Sequence, residues 1–305
     1  MPEPRVTSVS PGSMALLVVG VAGVSLSGPL MAAATAVPAL AMALWRSGLG
    51  AVALGAYGGR QVGVDISGLS RRTLVRSSFA GLMLALHFAT WITSLRYTSV
   101  ASATALVCLQ AAFVVLLARF DGEEVSRSVW MGVGLAFAGV LVVSGVDLSI
   151  STRALTGDLL ALAGGVFGAV YTVVGSRVRR ELTTTTYTVI CYGTSAALLL
   201  VACLIGGVQV WGFDAKSWLL IGAVTVVAQL LGHTVFNHVL AVMSPSVVSM
   251  TILLEVPGAA LLAAVLLGQA PPVAVYAGLG LIVSGLAVVV AARTRAGAPL
   301  EAPID

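Results

Sequence analysis

Between residues 14 and 292 the chain is a succession of apolar stretches, each about as long as a bilayer is thick. A spanning helix needs about 20 mostly apolar residues. Ten segments meet that measure, at 14–35, 38–57, 77–95, 99–118, 129–146, 157–176, 186–206, 217–240, 246–267 and 273–292. Only 9% of residues are charged, against about 25% in soluble domains. Bilayer is therefore the expected solvent, and no stretch suggests a soluble domain. Links such as Val37-Pro38 and Ala270-Pro271-Pro272 are short enough to force antiparallel neighbours.

The second half repeats the first. Val129–Val143 and Val275–Val289 share seven of fifteen positions, including all three glycines. Upstream the offset is 145: Gly20 and Gly23 match Gly165 and Gly168, Leu95 matches Leu240, and Gln110 falls opposite Glu255. Five spans per half make the halves enter the membrane from opposite sides, an arrangement usual in secondary transporters. The expected fold is an all-α membrane protein of ten transmembrane helices in two inverted five-helix repeats. Its parts are an N-terminal segment (1–13), a first repeat (14–147), a second repeat (157–292) and a disordered tail (293–305).

Basic residues lie between the apolar segments, so the net charge of +4 reads as a topology signal and not as a nucleic-acid surface. With the N-terminus inside, 12 of the 16 Lys and Arg are cytoplasmic, three are external and Arg46 lies within a span. Both termini are thus expected in the cytoplasm. Residues 14–36 could be read as a signal peptide, but they align with the start of the second half. Cys108, Cys191 and Cys203 fall inside spans without metal or CxxC spacing and read as buried free thiols.

Apart from histidines, two ionisable side chains lie near mid-span, Arg46 and Glu255. Each costs about 2.5–3.5 kcal/mol at a helix centre, so each is expected to face a partner or a cavity. They read as an ion pair, or as two poles of one binding site. The repeat equates Arg46 with Cys191 and Glu255 with Gln110, so the charges break the symmetry of the backbone plan. His87, Thr90, Trp91 and Ser94 share one face of the third span; Thr225, Gln229, His233 and Asn237 share one face of the eighth. The two stripes are one residue out of register under the repeat. Lipid cannot satisfy such stripes, which turn to protein or to water. Trp45, Tyr171, Tyr187 and Tyr192 could shape a pocket, whereas Trp211 and Trp218 read as interface anchors. His238 is expected to be satisfied locally. Pro29 and Pro257 are expected to interrupt their helices, a frequent device at transporter sites. Gly132 and Gly139, with Gly278 and Gly285, recur at seven residues on one face and mark scaffold or homodimer helices. The expected substrate-binding set is Arg46, Glu255, Trp91, His87, Gln110, Gln229, His233, Asn237 and Tyr171, with Glu255 the candidate for a coupling proton.

No P-loop, HExxH, GxSxG or Cys/His metal spacing occurs. No cofactor or metal is expected, and the partners are a small-molecule substrate, the bilayer and a proton or solute counter-gradient.

The chain resembles the EamA type of the drug/metabolite transporter superfamily. The resemblance covers roughly Met14–Ala292 and rests on LWRSGLG, LRYTSVASAT and FDGEE in the first half. In the second half it rests on GDLLALAGGVFGAVYTVVGSR, LEVPGAALLAAVLLGQ and GLGLIVSGLAVVV. It implies export of metabolites, amino acids or drugs across the cytoplasmic membrane by alternating access. Two departures stand out: Gln269 replaces the usual acid after the ninth span, and Ala111 or Ala112 replaces a proline in the fourth, which predicts a straighter helix there. The competing readings are an intramembrane enzyme acting on a lipid head group through His87, His233 and Glu255, and a passive channel or non-transporting scaffold.

Overall fold

The computed structural model describes residues 11–120, 122, 125–241, 243, 248 and 251–295. Among these the chain is helical and contains no strand. The first half comprises α1 (Pro11–Ala33), α2 (Ala39–Ser67), α3 (Arg71–Ser94), α4 (Val100–Val107), α5 (Gln110–Phe120) and α6 (Arg127–Ile150). The second comprises α7 (Thr152–Val178), α8 (Thr184–Ile205), α9 (Ala215–Val224), a π-helix (Thr225–Thr234), α10 (Val235–Val239), α11 (Glu255–Leu267) and α12 (Val273–Arg295). Seven helical units are long and apolar enough to cross a bilayer. Three shorter apolar helices, Arg127–Val143, Glu255–Leu267 and Val273–Val289, stand at the remaining expected positions. The start of the expected segment 246–267 and the tails 1–10 and 296–305 lie outside the described residues.

Local chemistry sets the helix ends. Ser70, Ser99, Ser151, Thr183 and Asp214 each accept the backbone N–H three residues on, at 2.9–3.2 Å, which satisfies one of the open donors of the first turn. The Ser217 bonds also hold the Asp214 carboxyl below its usual range. α2 bends at Gly59 (φ 51°, ψ −136°), a conformation open to glycine without a Cβ penalty. Pro29, expected to interrupt its helix, lies inside an unbroken α1.

The two halves interlock helix by helix. α6 packs most extensively on α12, α2 on α8, α3 on α7, and α1 on the π-helix. A Cβ on Gly132 would meet the Gly285 carbonyl at 2.5 Å, and one on Gly139 the Gly278 carbonyl at 2.6 Å. Since Gly132 meets the later glycine and Gly139 the earlier, α6 and α12 run antiparallel. These glycine faces pack on one another within the chain. Ser47 with Ser195 (3.4 Å) and Asp65 with Thr186 (2.6 Å) give α2 and α8 the same antiparallel sense. Gly23 abuts Gly232, and Gly168 abuts His87. Adding 145 turns the residues of one of these contacts into those of the other, so the junctions obey a pseudo-two-fold exchange.

Two backbone features matter for the site. First, the helix breaks at Cys108–Leu109 between α4 and α5, and again at Leu253–Leu254 before α11. The positions are equivalent, and so are the bonds. Leu109 N–H donates to Leu106 (3.2 Å) and Leu254 N–H to Thr251 (3.2 Å); Ala111 N–H donates to Cys108 (3.2 Å) and Val256 N–H to Leu253 (3.1 Å). Both breaks are tightened i→i−3 turns. The expectation of a straighter fourth span is therefore overturned. Pro257 lacks the donor that Ala112 uses toward Leu109 (2.9 Å), yet both helices break, so proline is not the cause. Second, the stretch Ala215–Val239 has 25 residues where α3, its counterpart, has 24. The extra residue is absorbed in the π-helix, the usual structural form of a one-residue insertion.

Candidate functional site

Both helix breaks open onto one cavity of about 30 Å³ between the halves. Ser27 of α1, His87 and Trp91 of α3, and Cys108 and Gln110 at the first break line one side. His233 of the π-helix, Phe236 of α10, and Glu255 line the other. Water needs about 10–15 Å³ of such space, so the cavity holds two waters at most and must dilate to admit a metabolite.

Glu255 opens α11 and Gln110 opens α5, so the backbone places both at helix N-termini. There the helix dipole favours a negative charge by about 0.3–2 kcal/mol. Glu255 is 6% exposed and, among the described residues, has no hydrogen-bond or ion-pair partner. His87 Nδ1 lies 2.9 Å from the Gly164 carbonyl and donates to it, which leaves a lone pair on Nε2. The Nδ1–Cε1 edge faces Gly168 of α7, so Nε2 points away from α7. His87 stacks on Trp91 at 5.9 Å between centroids, and the Trp91 indole N–H has no acceptor. His233 is held by ring contacts to His87 (6.1 Å), Phe88 (5.1 Å) and Tyr171 (6.4 Å).

Arg46 departs from expectation. It makes no ion pair with Glu255; an ion pair does join Arg76 to Glu181, at 3.8 Å. Nor does it line the cavity. Arg46 is fully buried, donates from Nε to Gln229 Oε1 at 2.8 Å, and lies 3.9 Å above the Phe88 ring. Its Nη2 and Gln229 Nε2 find no partner. Gln229, Asn237 and Tyr171 also lie off the cavity wall, bonded within protein. Tyr171 donates to Asn237 Oδ1 (2.7 Å), Asn237 donates to Tyr192 Oη (3.2 Å), and Tyr192 Oη meets Thr234 Oγ1 at 3.1 Å. Of the nine expected residues, His87, Trp91, Gln110, His233 and Glu255 converge; Arg46, Gln229, Asn237 and Tyr171 form a layer behind them. Ser27, Cys108 and Phe236 were not singled out from the sequence, although Phe236 is the repeat counterpart of Trp91. Trp45 shapes no pocket: it joins Trp211 (4.4 Å) and Trp218 (5.0 Å) in an aromatic cluster and donates to the Val210 carbonyl at 2.8 Å. His238 bonds Thr184 at 3.1 Å.

Both ends of the bundle are bridged between the halves. At one end Thr73 donates to Glu181 at 3.1 Å beside the Arg76 contact. At the other, Gln269 Oε1 accepts the Val100 N–H at 3.2 Å, so the amide that replaces an acid caps α4. Two arginines brace these ends from outside the spans. Arg96 donates to the Ala34 and Val37 carbonyls at 2.8 Å each. Arg179 donates to the Asn237 carbonyl (2.9 Å), to Thr184 Oγ1 (2.7 Å) and to the Leu182 carbonyl. Burial lowers the Arg179 pKa to about 10, so it stays charged at neutral pH. The cavity thus lies between two ends that are each bridged from one half to the other.

The model of the EamA-like transporter family matches residues 11–145 and 155–291. An uncharacterized transporter of Archaeoglobus fulgidus is 34% identical over 116 residues, covering 37% of this chain and 40% of that protein. The chain thus spans about two fifths of the length of this curated relative. A solved structure described only as the crystal structure of a protein superposes with a TM-score of 0.69 at 20% identity, over 95% of this chain and all of that one. That likeness is one of fold.

Proposed function

The chain belongs to the EamA-like transporter family, and on that premise we propose that it is a secondary active transporter exporting small metabolites across the cytoplasmic membrane by alternating access. The observation that carries the proposal is Glu255, without a hydrogen-bond or ion-pair partner among the described residues, facing a cavity between two pseudo-symmetric halves. Antiparallel packing of equivalent helices supports an inverted repeat with ten crossings and both termini in the cytoplasm. Such a pair of halves can rock about a fixed central site. A helix start that carries a buried acid can exchange a proton or a cationic group, and a proton or solute gradient would energise the cycle. The family is one of transporters, which speaks for a carrier and against the enzyme reading.

Alternating access can be tested without knowing the solute. Spin labels would be placed at Arg72→Cys and Arg180→Cys for one end, and at Tyr97→Cys and Ala270→Cys for the other, in a background lacking native cysteines. All four positions are exposed. Double electron–electron resonance between pH 5 and pH 9 should give two distances per pair, one end widening as the other narrows. Single, unchanging distances at both ends would refute the carrier reading.

A further inference from the structure

We infer that the cavity selects organic amines in their ammonium form, and not zwitterions or carboxylates. The inference rests on the carrier reading and names its substrate class.

The argument is an inventory of what the cavity wall can offer. Its one ionisable acid, Glu255, has no partner among the described residues and opens onto the space. The Nδ1–H of His87 is committed to Gly164, so what the ring can present elsewhere is the acceptor Nε2. The stacked faces of His87 and Trp91 and the Phe236 ring add π-surface, which favours a desolvated cation. An ammonium group has three donors and no acceptor, and this wall matches that pattern.

A carboxylate meets the opposite case. It would have to approach Glu255 and find a positive charge, yet Arg46 is absent from the wall. Its guanidinium is bound to Gln229 (2.8 Å) and stacked on Phe88 (3.9 Å). The remaining donors, the Trp91 indole, the Ser27 hydroxyl and the Gln110 amide, are neutral. None of these neutral donors balances a second negative charge beside Glu255. Arg46 therefore belongs to the frame that seats the π-helix, and the acid Glu255 stands on the cavity wall itself.

The test uses three compounds with one hydrocarbon skeleton: isoamylamine, leucine and 4-methylpentanoate. Counterflow of each, radiolabelled, would be measured in proteoliposomes of the full chain. Isoamylamine should exchange saturably and at least tenfold faster than leucine, with 4-methylpentanoate inactive. Glu255→Gln should abolish that exchange and Glu255→Asp, which keeps the charge, should retain part of it; the second variant guards against a mere folding defect. Leucine or 4-methylpentanoate exchanging as fast as the amine would overturn the assignment while leaving the carrier reading intact. No exchange of any of the three, with the spin-label distances still alternating, would likewise overturn the amine assignment alone. Fixed distances would remove the carrier reading itself.

Discussion

The glycine crossing between α6 and α12 gives a sharp quantitative prediction. An alanine at position 139 would place its Cβ 2.6 Å from the Gly278 carbonyl oxygen and 2.8 Å from Ile282 N. Non-bonded heavy atoms want about 3.5 Å, so the helices must part by roughly 0.8 Å. Separation across a packed interface costs about 1–3 kcal/mol. Gly139→Ala and Gly132→Ala should each lower stability by that amount, read as the free energy of unfolding in mixed micelles titrated with sodium dodecyl sulfate. Gly134 and Gly280 lie on the same two helices with nothing within 4 Å of an added Cβ. Alanine there should be neutral, or stabilising by up to about 1 kcal/mol through helix propensity. The pair Gly139→Ala with Gly278→Ala should cost less than the sum of the singles, because helices already parted by one methyl leave room for the other. A neutral Gly139→Ala alongside a destabilising Gly134→Ala would refute the assignment of the crossing.

Three further outcomes are expected. Deleting Val226, an exposed residue of the π-helix, should let the segment close into a regular α-helix. The protein should still elute as a single species in size-exclusion chromatography, while solute exchange is lost; unchanged exchange would mean that the extra residue is incidental. Asp214 has its pKa depressed in the folded state by Ser217, so its cap contributes stability above the unfolded carboxylate pKa and loses it as pH falls through the folded value. Asp214→Asn should therefore narrow the gap in melting temperature between pH 7 and pH 3, and an identical gap in both proteins would show that the cap does not titrate. Glu181→Gln removes the half-exposed Arg76 bridge between the halves, a contact worth about 1 kcal/mol or less. The open population at the Arg72–Arg180 end should rise by no more than about fivefold, read from the spin-label distances, and a larger rise would make Glu181 a principal gate.

The fold was legible where the signal was long-range and repetitive. Apolar length identified the helices, and the paired glycines predicted a close approach, because a missing side chain is a steric fact that sequence records directly. The partner across that approach was less legible: glycine spacing fits a second copy as well as another helix of the same chain, and only the tertiary arrangement put Gly132 against Gly285. Glu255 and Gln110 were found through the repeat. Arg46 was misjudged for a physical reason. A buried cation demands a partner, and the sequence held an obvious anion, but Arg46 turns to an amide oxygen and an aromatic face, with Nη2 left unpaired among the described residues. The breaks at Cys108 and Leu253 were hidden for a similar reason. Prolines are the visible marker of an interrupted helix, yet α1 runs through Pro29 while the fourth span breaks without one.

The departures from symmetry then become the informative residues. The shared backbone supplies two equivalent helix starts, two equivalent breaks and exchanged junctions, all of which two halves need if they are to swap roles during a cycle. A site built only from those parts would be symmetric and neutral at its centre. One substitution puts a carboxylate at one helix start and an amide at the other. One extra residue, taken up as a π-helix, brings His233 to the wall and leaves Gly232 in the contact with Gly23 that His87 makes with Gly168. On the proposed carrier reading, the common architecture serves movement, and the one-residue differences are where solute selection would lie. Had the charge or the insertion served packing alone, the same need would arise at both equivalent junctions, and each half would be expected to carry its own copy.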